Sequence, residues 1–243
     1  MPVYIQKKNG EFINLNCFNA YDGFQQMGYE VIGFEKPDLS SLPLTVEDIV
    51  CGNVGTVYQA LERIGIARPP VLNVPEELRG FCGRRITTKT LGEVRALNDV
   101  PIFIKPRDIG KQFTGYVIRE FRDLIETAAF PDDTPVITSD VVSFVTEYRT
   151  FVLRGRLVGS KNYKGDFRFV PDFRVVEAAV AEYASSPVAY GIDFGLTDDG
   201  RTLLVEVNDS FSLGCYGLSA TVYARMIEAR WKQMQEGKYD ADE

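Results

Sequence analysis

Near the C-terminal end, Leu203-Leu204-Val205-Glu206-Val207-Asn208 sets two oxygen-bearing side chains two residues apart. Side chains alternate along a strand, so Glu206 and Asn208 share one face, about 7 Å apart. Leu203, Val205 and Val207 are expected on the other face. Asp193 lies on the preceding apolar run, and Asp198-Asp199-Gly200 between them reads as a hairpin turn. Such a hairpin sets Asp193 beside Glu206. Two carboxylates and an Asn carbonyl are hard oxygen ligands, suited to Mg2+ or Mn2+. A solvated polar sheet face is the competing reading, since exposed acids on strands are common.

A second candidate is Ile102-Phe103-Ile104-Lys105-Pro106, an apolar strand closed by Lys. The loop after it carries Arg107, Gly110, Lys111 and Gly115. A Lys point charge beside glycines that admit close backbone approach suits phosphate. No G-x-x-x-x-G-K-[ST] is present, so this is not a Walker loop. A snorkelling Lys followed by a polar loop is the competing reading. A third candidate runs from Ser139 to Phe151. There Glu147, Arg149 and Phe151 share a strand face. Glu147 suits ribose hydroxyls and Arg149 a phosphate or carboxylate. A cross-strand ladder of ion pairs would use the same residues.

The chain has no His, which excludes Ser-His-Asp and Cys-His catalysis and His-ligated metals. Any chemistry must run on carboxylates, Lys, Arg, Tyr, Cys, backbone amides or a hard cation. With 27 Lys and Arg against 34 Asp and Glu, the net charge of −7 argues against wholesale binding to nucleic acid or anionic membranes. Cys17, Cys51, Cys82 and Cys215 are far apart and form no C-x-x-C, the pattern of reduced, packed thiols in a cytoplasm. No apolar run approaches the roughly 20 residues of a membrane span. Met1 to Lys8 has no apolar h-region, so no secretory leader is expected.

Several elements must hold these residues. Strands at 3–5, 31–34 and 48–51 alternate with helices over 17–28 and 54–65, each closed by Gly, which implies a small α/β layer. A linker with Pro69-Pro70 and Pro75 follows. A helix over 88–97 and strands at 102–105, 116–118 and 136–138 come next. The last third is richer in strands, at 144–153, 157–159, 188–194 and 203–207. A final helix spans 219–235, Gly237 ends it, and the acidic tail to Glu243 is expected to fray.

In chain order the pieces are Lys after a strand, a Gly loop, a short apolar connector, Glu-x-Arg, then Asp and Glu-x-Asn. This ordered set resembles the ATP-grasp superfamily, clearly over 101–217 and more loosely before it. The chain most resembles a clade of small ATP-grasp proteins common in phages and bacteria. The resemblance implies an α/β (α+β) chain in three parts: an N-terminal α/β domain over 1–84, a central subdomain over 85–143 and a C-terminal subdomain over 144–243. It also implies ATP gripped between the last two.

Carried onto this sequence, the resemblance implies that Lys105 and Lys111 contact nucleotide phosphates. Ser139, Asp140, Val141 and Val142 form the adenine hinge, and Glu147 holds the ribose. Arg149 and Lys161 face the γ-phosphate or an acyl phosphate. Asp193, Glu206 and Asn208 coordinate Mg2+ or Mn2+. The implied reaction is carboxylate–amine ligation through an acyl phosphate, releasing ADP and phosphate. Its substrates would be ATP with a carboxylate and an amine such as an amino acid, a peptide or a protein terminus, in a bacterial or phage-infected cytoplasm. Arg107, Ser212, Gly214 and Tyr216 are candidates for the acceptor pocket. Arg84-Arg85 reads either as a phosphate or substrate contact or as a surface basic pair. A phosphotransferase and a non-catalytic nucleotide-binding module remain open, whereas the net charge disfavours a DNA-binding accessory role.

Overall fold

The computed structural model describes residues 2–96, 100–108 and 113–237. Gly110, Lys111 and the acidic tail after Gly237 lie outside the described residues.

The first layer is built around β1 (Val3–Lys8). The hairpin strand β2 (Glu11–Phe12) turns back on it. Helix α1 (Leu15–Gln26) follows, with the Asn14 side chain capping it by accepting from the Cys17 N–H. Strands β3 (Val31–Glu35) and β4 (Ile49–Cys51) both run parallel to β1, and α2 (Val54–Arg63) follows β4. Alternation of strand and helix produces the expected small α/β layer, with β3 and β4 parallel to β1.

The central layer is a fully antiparallel sheet. It contains β5 (Ile86–Thr90), β6 (Ile102–Pro106), β7 (Tyr116–Ile118) and β8 (Pro135–Ser139), in the order β5-β8-β6-β7. Of the helix expected over 88–97, the described residues form only the stretch Leu91–Arg95, and 88–90 are extended instead. Ile86-Thr87-Thr88-Lys89-Thr90 is β-branched at four of five positions and joins the sheet as β5. Thr90 then starts a short helix, α3 (Leu91–Arg95), through a capping box with Glu93.

The third sheet is also antiparallel. Its strands are β9 (Phe144–Leu153), β10 (Arg156–Gly165), β11 (Ala189–Thr197) and β12 (Thr202–Asp209), in the order β10-β9-β11-β12. Helix α4 (Phe173–Glu182), between β10 and β11, is an addition to the elements expected from the sequence. Its signal is present as an Asp172 cap followed by Val176, Ala179 and Val180. The final helix is α5 (Ala220–Gln235).

Three apolar cores hold these layers. The first joins the N-terminal sheet and its helices to α5, the segment 211–218 and Phe151. The second lies between the C-terminal sheet, α4 and a 3-10 turn at Glu76–Phe81. The third, small core belongs to the central sheet. Among the described residues, no helix is long and apolar enough to cross a membrane.

Candidate functional site

Four charged residues stand in one cross-strand row of the C-terminal sheet. Lys161 pairs with Arg149, Arg149 with Asp193, and Asp193 with Glu206. Paired residues on neighbouring strands share a face, so the row reads plus, plus, minus, minus. The expected meeting of Asp193 and Glu206 across the β11–β12 hairpin is present. Asn208, two residues beyond Glu206, donates to Glu206 Oε1 at 3.0 Å and to Asp193 Oδ2 at 3.4 Å.

One expectation about β12 needs correction. The register shifts between Asp193 and Phe194, whose partners are Glu206 and Leu204, so Val205 is an extra residue in a β-bulge. The bulge breaks strict alternation. Leu204 rather than Leu203 joins Val207 in the second core, while Glu206 and Asn208 stay on the site face.

The row is partly dry. Arg149 grips Asp193 with two parallel bonds, Nε to Oδ1 at 2.8 Å and Nη2 to Oδ2 at 2.7 Å. Their side chains are only 8% and 1% exposed. Burial pushes the Asp193 carboxyl up to about 6, against the Arg149 bonds, and the Glu206 and Glu147 charges add to the rise. Burial also opposes the Arg149 charge, but Asp193 outweighs it and raises the guanidinium above its ordinary value. The two parallel bonds are the geometry of a charged guanidinium on a carboxylate. Glu206 differs. Burial acts to raise it, but Lys105, Asn208 and Arg149 together hold it below the usual carboxylate range.

The central sheet reaches the row through Lys105, the penultimate residue of β6. Its Nζ lies 3.0 Å from Glu206 Oε2. A cleft of about 890 Å³ opens there, lined by Lys105, Glu206 and Asn208 and by Asn16, Cys51 and Asn53 of the N-terminal layer.

The connector from the central to the C-terminal sheet runs through Ser139, Asp140, Val141 and Val142. Ser139 is buried at the end of β8 and donates to the Asp140 carbonyl at 3.1 Å. Asp140 accepts the Arg85 N–H at 2.9 Å through its side chain, and its own N–H donates to the Arg85 carbonyl at 3.2 Å. Val141 is exposed and Val142 half-buried. Glu147 is buried, and both of its carboxylate oxygens accept bonds, from the Tyr163 hydroxyl at 2.8 Å and from the Lys164 ammonium. These bonds use about two of the roughly four acceptor positions of the carboxylate.

Of the acceptor candidates, Ser212 lines the cleft and donates to the Gly52 carbonyl at 2.9 Å, tying the loop after β12 to the N-terminal layer. A Cβ on Gly214 would lie 3.2 Å from Arg149 Nη1 and from the Tyr216 ring. Tyr216 stacks on Tyr163 with ring centroids 5.1 Å apart, and the Arg149 guanidinium lies 5.1 Å from the Tyr216 centroid. Arg107 is not drawn into the row. Its guanidinium is exposed and binds neighbouring Asp108. Lys161 is half-buried opposite Arg149. Its ammonium has no ion pair among the described residues.

Two partners of Glu147 went unmarked in the sequence, Tyr163 and Lys164, because an aromatic at the bulge of β10 and the Lys after it carry no motif. Arg84 fits neither reading of the Arg84-Arg85 pair, because it donates to the backbone carbonyls of Leu204 and Val205. Arg85 does fit the surface reading, exposed and paired with Asp140.

The donor set fits a hard divalent ion. No cluster of three or more His, Cys, Asp or Glu side chains with metal-holding spacing occurs among the described residues. Two carboxylates and one amide are nonetheless enough for Mg2+, which keeps several waters and takes one or two carboxylates plus substrate phosphates.

Comparison with known proteins bears on the family and the fold. An ATP-grasp domain family, the second family of its clade, matches residues 81–226. A D-alanine–D-alanine ligase from Bacillus anthracis, solved with ATP, superposes with a TM-score of 0.58 at 17% identity, covering 98% of both chains. A D-cycloserine synthetase superposes at 0.62 with 13% identity, covering 95% of this chain and 100% of that one. An L-amino acid ligase from Bacillus licheniformis superposes at 0.58 with 12% identity, covering 95% and 74%. Comparison with curated proteins gives no match. Identities this low speak for the fold alone, but the family match spans more than half of the sequence and all the strands that carry the charged row. The chain is thus a member of this ATP-grasp domain family.

Proposed function

We propose that this protein is an ATP-dependent ligase that joins a carboxylate to an amine. The observation that carries the reading is the Lys105–Glu206 contact. It brings a cation from one sheet onto the acidic end of the row on the other, in the lining of a cleft. Opposite charges facing across two sheets suit a polyphosphate and its counter-ion.

In this reading Asp193, Glu206 and Asn208 would hold Mg2+ or Mn2+. When bound, the ion would neutralise phosphate charge and orient the γ-phosphoryl group. Lys105 leaves Glu206 for the phosphates, with Lys111 as a second contact. Residues 139–142 take the adenine edge, and Glu147 takes the ribose. Arg149 spends Nε and Nη2 on Asp193, which leaves Nη1 toward Gly214 for an anionic oxygen. Lys161 adds charge beside it. Ser212, Gly214 and Tyr216 border the acceptor, with Arg107 at the rim.

The substrate carboxylate oxygen attacks the γ-phosphorus, and the bond from that phosphorus to the bridging oxygen of ADP breaks. The amine nitrogen then attacks the acyl carbon. The carbon–oxygen bond to phosphate breaks, and the departing phosphate takes the amine proton. No protein base is required, which suits a chain without His. Catalysis rests on positioning and charge neutralisation.

The test is thermal stability with ATP and Mg2+. A ligand bound only by the native state adds RT ln(1 + [L]/Kd), about 2.7 kcal/mol at a hundredfold excess over Kd. The wild type should show a Mg2+-dependent shift that Glu206→Ala loses. ADP release with paired carboxylates and amines, followed by product analysis, then separates amide formation from retained phosphate. No shift with ATP would overturn the reading.

A further inference from the structure

We propose that Arg84 is a positioning residue for β12, holding the bulge beside Glu206 so that the acidic end of the row keeps its geometry. The inference rests on the ligase reading.

β12 is an edge strand. One side pairs with β11, and the other side would present unpaired backbone groups. The bulge makes this worse, because Val205 has no partner on β11 and the ladder is disrupted around it. Arg84 answers both problems. Its Nη1 donates to the Leu204 carbonyl at 2.6 Å, and its Nη2 to the Val205 carbonyl at 2.9 Å. Nη1 also reaches the Cys82 carbonyl at 3.2 Å, which anchors the guanidinium to its own segment. Two successive carbonyls converging on one fork need a planar cation with two donors. Lys, a point charge, serves only one of them well.

Arg84 does not act alone on this edge. The Val207 N–H donates to the Asn73 carbonyl at 2.6 Å, and Asn73 Nδ2 donates to the Arg107 carbonyl at 3.0 Å. The segment between the N-terminal and central layers therefore tracks the outer edge of β12 on both sides of Glu206. It also ties that edge to the loop that follows Lys105.

The consequence for the site is geometric. With the bulge in place, Leu204 and Val207 both enter the second core, while Glu206 reaches Lys105 and Asn208. If the bulge relaxes, strict alternation puts Leu204 on the Glu206 face. The carboxylate then shifts against Asp193 and Lys105. Arg84 touches none of the reacting groups and works through the backbone of the two residues before Glu206.

The test is a Mg2+ titration of ATP binding at fixed ATP, read by thermal shift and calorimetry in wild type, Arg84→Met and Arg84→Lys. ATP affinity in EDTA is measured alongside. The Mg2+ midpoint should rise at least tenfold in Arg84→Met and by an intermediate factor in Arg84→Lys, while affinity in EDTA stays within twofold of wild type. If Arg84→Met does not fold, Arg84→Lys carries the comparison. A lowered melting temperature with an unmoved Mg2+ midpoint would mean a merely structural role and would overturn the proposal. Wild-type protein that shows no Mg2+-dependent ATP binding would bring down the ligase reading and this inference with it. A normal wild-type titration matched by both variants would bring down the inference alone.

Discussion

Asp193 is the most deeply buried charge in the row, and its environment explains how a charge can persist there. An isolated carboxylate loses far more in desolvation than a single neutral bond returns. Arg149 returns it through a bidentate fork, with Asn208 adding a third contact. Breaking such a pair from one side is costly because the other charge stays buried. Arg149→Met should lower unfolding stability by about 3–5 kcal/mol in urea. Arg168→Met, which removes an exposed partner of Asp166, should leave the urea midpoint nearly in place. Equal losses in the two variants would contradict the buried-pair account. A pH dependence follows with a definite sign. A carboxyl raised in the native state binds more protons there than in the unfolded chain, so stability falls as pH climbs from the unfolded toward the native value. In wild type that window runs from 3.8 to about 6. Without Arg149 the native value rises further, so the variant should go on losing stability between pH 6 and 8, where wild type has levelled off for this group.

At the scale of elements, β11 is shaped for its neighbours. Gly191 and Gly195 flank Asp193 at the positions two before and two after, on the same face. A Cβ on Gly191 would lie 3.1 Å from Arg149 Cδ, so the guanidinium stem passes over bare backbone. A Cβ on Gly195 would fall on the Phe144 ring. Gly195→Ala should therefore overpack the sheet and cost about 1–3 kcal/mol. Phe144→Leu in the same chain should recover part of it. Denaturation midpoints of the two single variants and the double variant check this, and simple additivity would refute the clash. The missed and misread elements have local explanations too. Residues 86–90 carry enough β-branching to be extended, but their partner, β8, begins only at Pro135. No local window reveals that partner.

At the scale of the whole molecule, the chain's two ends share a core. Helix α5 packs on α1, and Trp231, Met226 and Met234 join Val3, Ile5 and Phe24 in one cluster. The C-terminal helix therefore completes the N-terminal layer, and the buried Asp209–Arg230 pair ties that helix to the end of β12. Trp231→Ala should cost about 3–5 kcal/mol. Amide exchange should show β1 losing protection together with α5 despite their distance in sequence. Loss confined to α5 would show that the two ends are energetically separate.

Local periodicity was enough to determine several things from the sequence alone. The two-residue spacing put Glu206 and Asn208 on one face. The Gly-containing turn between β11 and β12 brought Asp193 opposite Glu206. Apolar spacing and closing glycines marked α1, α2 and α5, and the chain order of charged residues pointed to the family. These features depend on backbone geometry within a few residues. Only the tertiary structure decided that Lys105 meets Glu206 across a separation of 101 residues. The same holds for Arg149 and Asp193 burying each other, Glu147 being held by Tyr163, Tyr216 lying over Arg149, and Arg84 serving the backbone of β12. Even the bulge that moves Leu204 into the core was invisible, because an extra residue shows only against its partner strand. Such contacts arise when sheets close on one another and when buried polar groups must find partners, and no short stretch of sequence records which partner that will be.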